Sequence, residues 1–323
     1  MCKILTFDEA LKKCKGQKNL LIGNGFSIAF DNNFKYTSLY DIAKKRNPDI
    51  FSKEVKDIFK SHKADFEKVI EEMKDKNFSE DTIKSVRNSL IKTIADIHIK
   101  SPKKITKKQH NSCGQFLKIY NNIYTINYDL LVDWVLDKEC DNFYEPTSDI
   151  KIGGRKHNYL WKGSAAVNNR DKIDVLTVYY LHGSLMFFHN EFGNLKKEIL
   201  ADYKLTGKLE AVLENIYKGK FPLFVAEGTS EQKLEKIESS NYLKESLKSL
   251  ESSKIKTLVT YGFGFNPNDQ HIIDAIKKSE VTDVCVGLFG SDINKNNIQR
   301  IEKLFKDSGK DFHFYDSASV ELW

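Results

Sequence analysis

Short apolar runs of strand length recur along the chain, separated by stretches in which apolar residues return every three or four positions. Lys18-Asn19-Leu20-Leu21-Ile22 is the first run, Asn122-Ile123-Tyr124-Thr125-Ile126 the second, and Leu176-Thr177-Val178-Tyr179-Tyr180-Leu181 the clearest. Further runs lie at 221–226, 255–261 and 283–289, and one at 311–315 is placed to form an edge. Brief runs rich in β-branched and aromatic residues predict buried strands. Between the first two, residues 36–118 hold no convincing strand. There Phe51, Val55, Ile58 and Phe59, then Phe66, Val69, Ile70 and Met73, repeat at helical spacing and predict an inserted helical module. Helical spans at 231–250 and 268–279 alternate with the later strands, the mark of a parallel sheet with crossover helices. The Ser239-Ser240 and Ser252-Ser253 pairs mark turns, and residues 141–172, rich in Gly, Asn and Asp, predict a loop or small hairpin over the pocket. The fold class is therefore α/β, a Rossmann-like parallel sheet with crossover helices, and residues 1–323 form a single domain.

The segments at the strand exits carry the chemistry, because ligands of open parallel sheets bind at the carboxyl ends of the strands. After the first run comes Gly23-Asn24-Gly25-Phe26-Ser27, whose glycines permit a tight turn and close approach of backbone to a phosphate. A helix starting near Phe26 would aim its amides there. The third glycine of a dehydrogenase fingerprint is missing, with Ile28 and Ala29 standing downstream, so this loop alone reads equally well as an ordinary turn. The second run delivers Asn127 and Asp129 to its exit before an apolar helix from Leu130 to Leu136. Residues of these types also cap helices, a reading that fits Asp129 better than Asn127. The third run ends in His182-Gly183-Ser184, a histidine at the mouth of a buried strand, well placed for acid–base work.

Taken together and in this order, the motifs resemble those of the sirtuin-like domains: a Gly-x-Gly-x-Ser loop, a Thr-x-Asn-x-Asp segment, a His-Gly dipeptide and a late Gly-rich strand end. The last is Tyr261-Gly262-Phe263-Gly264-Phe265, with Asp269 after it. Sirtuin deacetylases carry a zinc module on two Cys-x-x-Cys pairs, whereas Cys2, Cys14, Cys113, Cys140 and Cys285 include no pair at that spacing. The resemblance is closer to bacterial sirtuin-like NAD hydrolases, many of them effectors of anti-phage defence. Residues 221–230, followed by Lys233 and Tyr242-Leu243, also look like a signature of uncharacterised members of that group.

The resemblance implies NAD as substrate, cleavage of its nicotinamide–ribose bond, and no metal. Asn127 would orient water or a ribose hydroxyl, His182 would act as base, and Asp129 would fix the nicotinamide amide or the ribose. Gly23, Gly25 and Ser27 would cradle the diphosphate, with Asn24, Phe26 and Thr125 in the same loops. Gly262, Phe263 and Asp269 would lie under the adenosine half, and Glu227 would be a second carboxylate at a strand exit. Partners implied are a second copy of the chain or a defence-system protein such as an ATPase. The alternative is a regulatory subunit that binds NAD or ADP-ribose without cleaving it. A protein deacylase is disfavoured by the missing zinc cysteines.

Composition narrows the classes. In 323 residues, 40% hydrophobic content is enough for one large core or two small ones. No apolar run reaches the roughly 18 residues needed to cross a bilayer, and no leader pattern is present, so a cytoplasmic protein with reduced thiols is expected. A formal charge of +6 is mild for this length and does not by itself indicate nucleic acid. The Lys103, Lys104, Lys107 and Lys108 run reads as a solvated loop, and His98, His110 and His157 have no partners at metal spacing.

Overall fold

The computed structural model describes residues 3–14, 16–140, 143–145, 151–152, 155–156, 159–162, 165–167, 176–189, 195–197, 208–226 and 228–323. Helix α1 (Phe7–Lys13) precedes β1 (Lys18–Ile22) and α2 (Gly25–Phe30). The helical module comes next as α3 (Tyr36–Arg46), α4 (Lys53–Ser61), α5 (Phe66–Asp75), α6 (Glu80–Ile97) and α7 (Lys107–Lys118). It leads into β2 (Asn122–Thr125), α8 (Leu131–Glu139), β3 (Phe143–Glu145), β4 (Lys151–Ile152), β5 (Arg155–Lys156), β6 (Tyr159–Lys162) and β7 (Ala165–Val167). After these run β8 (Thr177–Tyr180), β9 (Phe187–His189), β10 (Leu195–Lys197), α9 (Lys208–Tyr217), α10 (Ser230–Glu238) and α11 (Asn241–Glu251). The chain closes with β11 (Thr257–Tyr261), α12 (Gln270–Lys278), β12 (Asp283–Leu288), α13 (Lys295–Leu304) and β13 (Asp311–Asp316).

Six strands, β13-β12-β11-β1-β2-β8, lie side by side with every pairing parallel. Ranked by their place in the chain, they run sixth, fifth, fourth, first, second, third, which is the doubly wound Rossmann order seen from one edge. The order reverses between β1 and β11, so the crevice of such a sheet opens there. β1 and β11 are buried almost throughout, as expected of strands covered on both faces, and this is why they read as continuous apolar runs. β13 is the outer strand, as its sequence suggested, while β3, β6 and β7 extend the opposite edge beyond β8. Within 141–172 the described residues thus form two hairpins, β4 with β5 and β6 with β7.

The helical module buries its apolar faces in the same core as the sheet. Val55, Ile58 and Phe59 of α4 and Phe66, Val69, Ile70 and Met73 of α5 are buried, and each large side chain so buried contributes about 1.5–3 kcal/mol. Side-chain caps begin the helices: Ser52 accepts from Val55, Asp65 from Glu67 and Lys68, and Ser79 from Thr82.

Three sequence expectations need correction. Residues 221–226 do not form a sheet strand; only the isolated bridge between Gly183 and Phe224 is present. The segment instead crosses the exit of β8, held by Val225 N donating to the carbonyl of His182 at 2.9 Å and by the Tyr128 hydroxyl donating to Val225 O at 2.5 Å. Pro222 has no N–H to give to a ladder. The span 231–250 is two helices, broken at Ser239-Ser240. Finally, the Cys14 and Cys285 sulfurs are paired rather than separate, with Cα atoms 7.6 Å apart, wider than the roughly 4.4–6.8 Å usual for disulfides. Cys113 is a buried free thiol.

At the switch point two loops meet without side chains between them. A Cβ on Gly23 would sit 2.4 Å from the carbonyl oxygen of Gly262, and one on Gly25 2.5 Å from its Cα. Gly262 itself has φ +66°, a left-handed conformation. Gly262→Ala is therefore expected to destabilise the fold by roughly 2 kcal/mol or more, combining the left-handed penalty with overlap against Gly25. A thermal midpoint matching that of the unaltered chain would show that the loops can separate at no cost.

Candidate functional site

A cleft of about 1190 Å³ opens at the carboxyl ends of the parallel strands, over the switch point. Its wall includes Asn24 and Gly25 after β1, Asn127 and Asp129 after β2, and His182 after β8. Gly262, Phe263 and Asp269 after β11 complete the far side. The three strand exits singled out by sequence thus converge on one space. The helical module supplies part of the wall through Tyr36, Asp65 and Glu67, none of which sequence pattern singled out. Beyond Gly262 the cleft is bordered by Phe289 and Asp292 after β12 and by Arg300 of α13.

The best defined group is a hydrogen-bonded chain of Asn127, Ser27 and Asp129. The Ser27 hydroxyl donates to Asp129 Oδ2 at 2.5 Å, and Asn127 Nδ2 donates to Ser27 Oγ at 2.8 Å. Asp129 Oδ1 accepts the backbone N–H of Leu131 at 2.9 Å, so this carboxylate also caps the start of α8. An ionised carboxylate only accepts, so the single hydroxyl hydrogen of Ser27 must point to Asp129. Any group approaching Ser27 from the other side must then be a donor, which fixes the Asn127 amide with its NH₂ toward Ser27. Asn127 Oδ1 is left over: it is buried and has no hydrogen-bond partner among the described residues. An orphaned buried acceptor in a cleft wall is costly unless a ligand or water satisfies it.

Deeper in, four elements join in one polar cluster. His182 Nε2 lies 2.9 Å from His271 Nε2, and His271 Nδ1 lies 2.9 Å from Ser230 Oγ. Lys233, with no exposed surface, donates to Glu67 Oε2 and Asp269 Oδ1 at 2.8 Å each. Asn268 Nδ2 also donates to Glu67 Oε2. Burial and the nearby Lys233 push His182 well below the usual histidine range and His271 down to about 3, so both are neutral. Burial holds the Glu67 carboxyl above the usual range, opposed by Lys233 and reinforced by Asp269.

The 221–233 segment, whose role sequence left open, now has a structural one. Thr229 caps α10. Gly228 packs so closely on α5 that a Cβ would lie 2.5 Å from the Glu71 side chain. Lys74 donates to Gln232 at 2.8 Å. Together with Lys233, these contacts join the helical module to the sheet domain.

Other predicted residues lie behind the wall. Phe26 is core, its ring centroid 5.0 Å from that of Trp323. Thr125 Oγ1 accepts the Asn127 N–H at 3.1 Å and shapes the turn. Gly23 faces Gly262, and Ser27 is engaged by Asn127 and Asp129 rather than open to a phosphate. The α2 entrance differs from expectation too: Gly25 N donates to Gly262 O, joining the two loops, and Phe26 N to Gly23 O within its own turn, so both amides are spent on backbone carbonyls. Glu227 lies outside the described residues.

Four buried histidines make stability depend on pH. His98, His110, His182 and His271 are all held below their ordinary 6.5, chiefly by burial. His98 accepts the Leu130 N–H at Nε2 and bonds the Ile99 carbonyl through Nδ1, which is one neutral tautomer. A depressed folded-state value means a contribution complete above about 6.5 and lost as pH falls below it. Glu67, raised from 4.5, has the opposite sign: its contribution declines as pH rises above 4.5. Four histidines oppose this one carboxyl. The thermal midpoint is expected to fall between pH 7.5 and pH 5, and a higher midpoint at pH 5 would contradict this balance.

The fold and the cleft define an α/β protein with a candidate ligand site at its switch point. Over residues 20–323 the chain matches the family described as Domain of unknown function (DUF4917), and it belongs to that family. No curated protein sequence matches it. Among the described residues no helix is long and apolar enough to cross a membrane.

Proposed function

We propose that the chain is an NAD hydrolase that breaks the nicotinamide–ribose bond and releases nicotinamide and ADP-ribose. The observation that carries this reading is the orphaned Asn127 Oδ1, oriented by Ser27 and Asp129 and placed with His182 in the wall of a switch-point cleft. As the bond between C1′ and the pyridinium nitrogen lengthens, its electron pair passes to the ring, nicotinamide leaves neutral, and positive charge develops on the ribose. Water adds to C1′ and loses a proton to His182. Asn127 Oδ1 accepts a hydrogen bond from that water or from a ribose hydroxyl. Asp129, already accepting two hydrogen bonds, acts through fixed negative charge. With Asp65, Glu67 and Asp269 in the same wall, it favours the transition state, in which positive charge moves from the pyridinium to the ribose, over bound NAD. The adenosine half extends toward Phe263 and Phe289, the latter 68% exposed and free to stack. Lys35 and Arg300 border the cleft and would supply positive charge to the diphosphate, Arg300 while donating to the Gly264 and Phe265 carbonyls.

An enzyme of this kind depletes NAD wherever it is active. The reading therefore includes a role as a defence effector in a cytoplasm, gated by self-association or by a partner such as an ATPase. Incubating the purified chain with NAD and separating products by chromatography tests the chemistry, with Asn127→Ala as control. Nicotinamide released in equal amount to ADP-ribose and lost in the variant is the expected result. Saturable binding with no turnover, even with the partner added, would leave a regulatory NAD-binding subunit instead.

A further inference from the structure

We infer that His271, anchored by Ser230, is a positioning residue that sets the tautomer of His182 and takes over its proton; its part in turnover rests on the reading of His182 as the base. Two imidazole nitrogens 2.9 Å apart cannot both carry hydrogen and cannot both be bare. One N–H must lie between them. Because His182 Nε2 is committed to this contact, Nδ1 is the nitrogen left for the cleft, and it is basic only when the shared hydrogen belongs to His182. The partner must then be bare at Nε2 and protonated at Nδ1. Ser230 provides for that state, since its Oγ is 2.9 Å from His271 Nδ1 and can accept from it. The same oxygen accepts the backbone N–H of His271 at 2.8 Å, fixing the first turn of α12 against the first turn of α10.

This pairing defines a proton path. Water or a ribose hydroxyl gives a proton to His182 Nδ1, and the Nε2 hydrogen of His182 passes to His271 Nε2. His182 ends neutral in the opposite tautomer, and His271 holds the charge with both nitrogens protonated. That charge lies near Asp269, one carboxylate oxygen of which is within 4.8 Å of a ring nitrogen of each histidine. Lys233, bound to the same carboxylate, opposes it, so the imidazolium is transient and the proton returns to solvent with product. A third group that holds the base in one tautomer is the logic of hydrolytic triads; here a histidine and a serine serve in place of a carboxylate.

Nitrogen-15 spectra of the histidines test the tautomer whether or not the chain turns over NAD. Expected are His182 with hydrogen on Nε2 in the unaltered chain, a mixture of tautomers in His271→Leu, and recovery in His271→Gln, whose amide oxygen can accept the same hydrogen. In parallel, NAD cleavage should fall about 100-fold in His271→Leu with NAD binding kept, and should return in part in His271→Gln. Unchanged His182 spectra in a folded His271→Leu would overturn the inference. So would stoichiometric zinc in the purified chain that is lost in that variant, because His182, His271 and Asp269 stand close enough to share a cation. If the spectra shift as expected while the unaltered chain cleaves no NAD even with its partner added, the pairing stands and the hydrolase reading falls.

Discussion

Replacing Lys233 with methionine is expected to destabilise the folded chain by about 3–5 kcal/mol, the range found when one partner of a buried ion pair is removed. The ammonium group has no exposed surface and lies 2.8 Å from a carboxylate on each side, Glu67 of the helical module and Asp269 before α12. Methionine fills similar space but leaves two carboxylates close together in a dry site. Burial and Asp269 push the Glu67 carboxyl up, and Lys233 is the charge that holds it down. Without the lysine, Glu67 takes up a proton at higher pH. The penalty should therefore shrink at pH 5 relative to pH 8, and the added change Glu67→Gln should recover much of it. For a chain of 323 residues the loss reads as a fall of roughly 4–8 °C in thermal midpoint. A fall of only a degree or two would mean that water reaches the carboxylates and that the module is not tied down here.

The parallel sheet was legible because buried parallel strands leave continuous apolar runs, as β1, β2, β11 and β12 do, while β8 and the edge strand β13 showed through their β-branched and aromatic residues. The same signal misled at 221–226, since an apolar segment lying across strand ends has the composition of one that pairs within the sheet. Asn127, Asp129 and His182 stood out because each comes directly after a strand, where topology brings distant positions together. Glu67, Ser230, Lys233 and His271 share no local pattern; they meet only because α5, α10 and α12 pack at one corner, a long-range outcome that no window along the chain contains. Gly23 and Gly25 show a different limit. Close approach was correctly read from their lack of a side chain, but the approaching group is the backbone of Gly262, and a glycine records that something is near, not what it is.

Changing Asn127 to aspartate should be as damaging to NAD cleavage as changing it to alanine, by about 100-fold or more in each case, although aspartate keeps an oxygen where the cleft needs one. Ser27 has one hydroxyl hydrogen, which Asp129 holds at 2.5 Å. A carboxylate at 127 would approach the same hydroxyl as a second acceptor, with nothing to donate and its negative charge close to that of Asp129. It must turn away, and the orientation of Oδ1 is lost with it. Ser27→Ala provides the companion measurement: it never touches the cleft, yet it removes both the support of Asn127 Nδ2 and one partner of Asp129. A loss of about tenfold in turnover is expected, together with roughly 1–3 kcal/mol of stability for the polar groups left unmatched. Full activity in Asn127→Asp would mean that the residue acts only through an oxygen of any charge, and the donor order running from Asn127 through Ser27 to Asp129 would have no part in the chemistry.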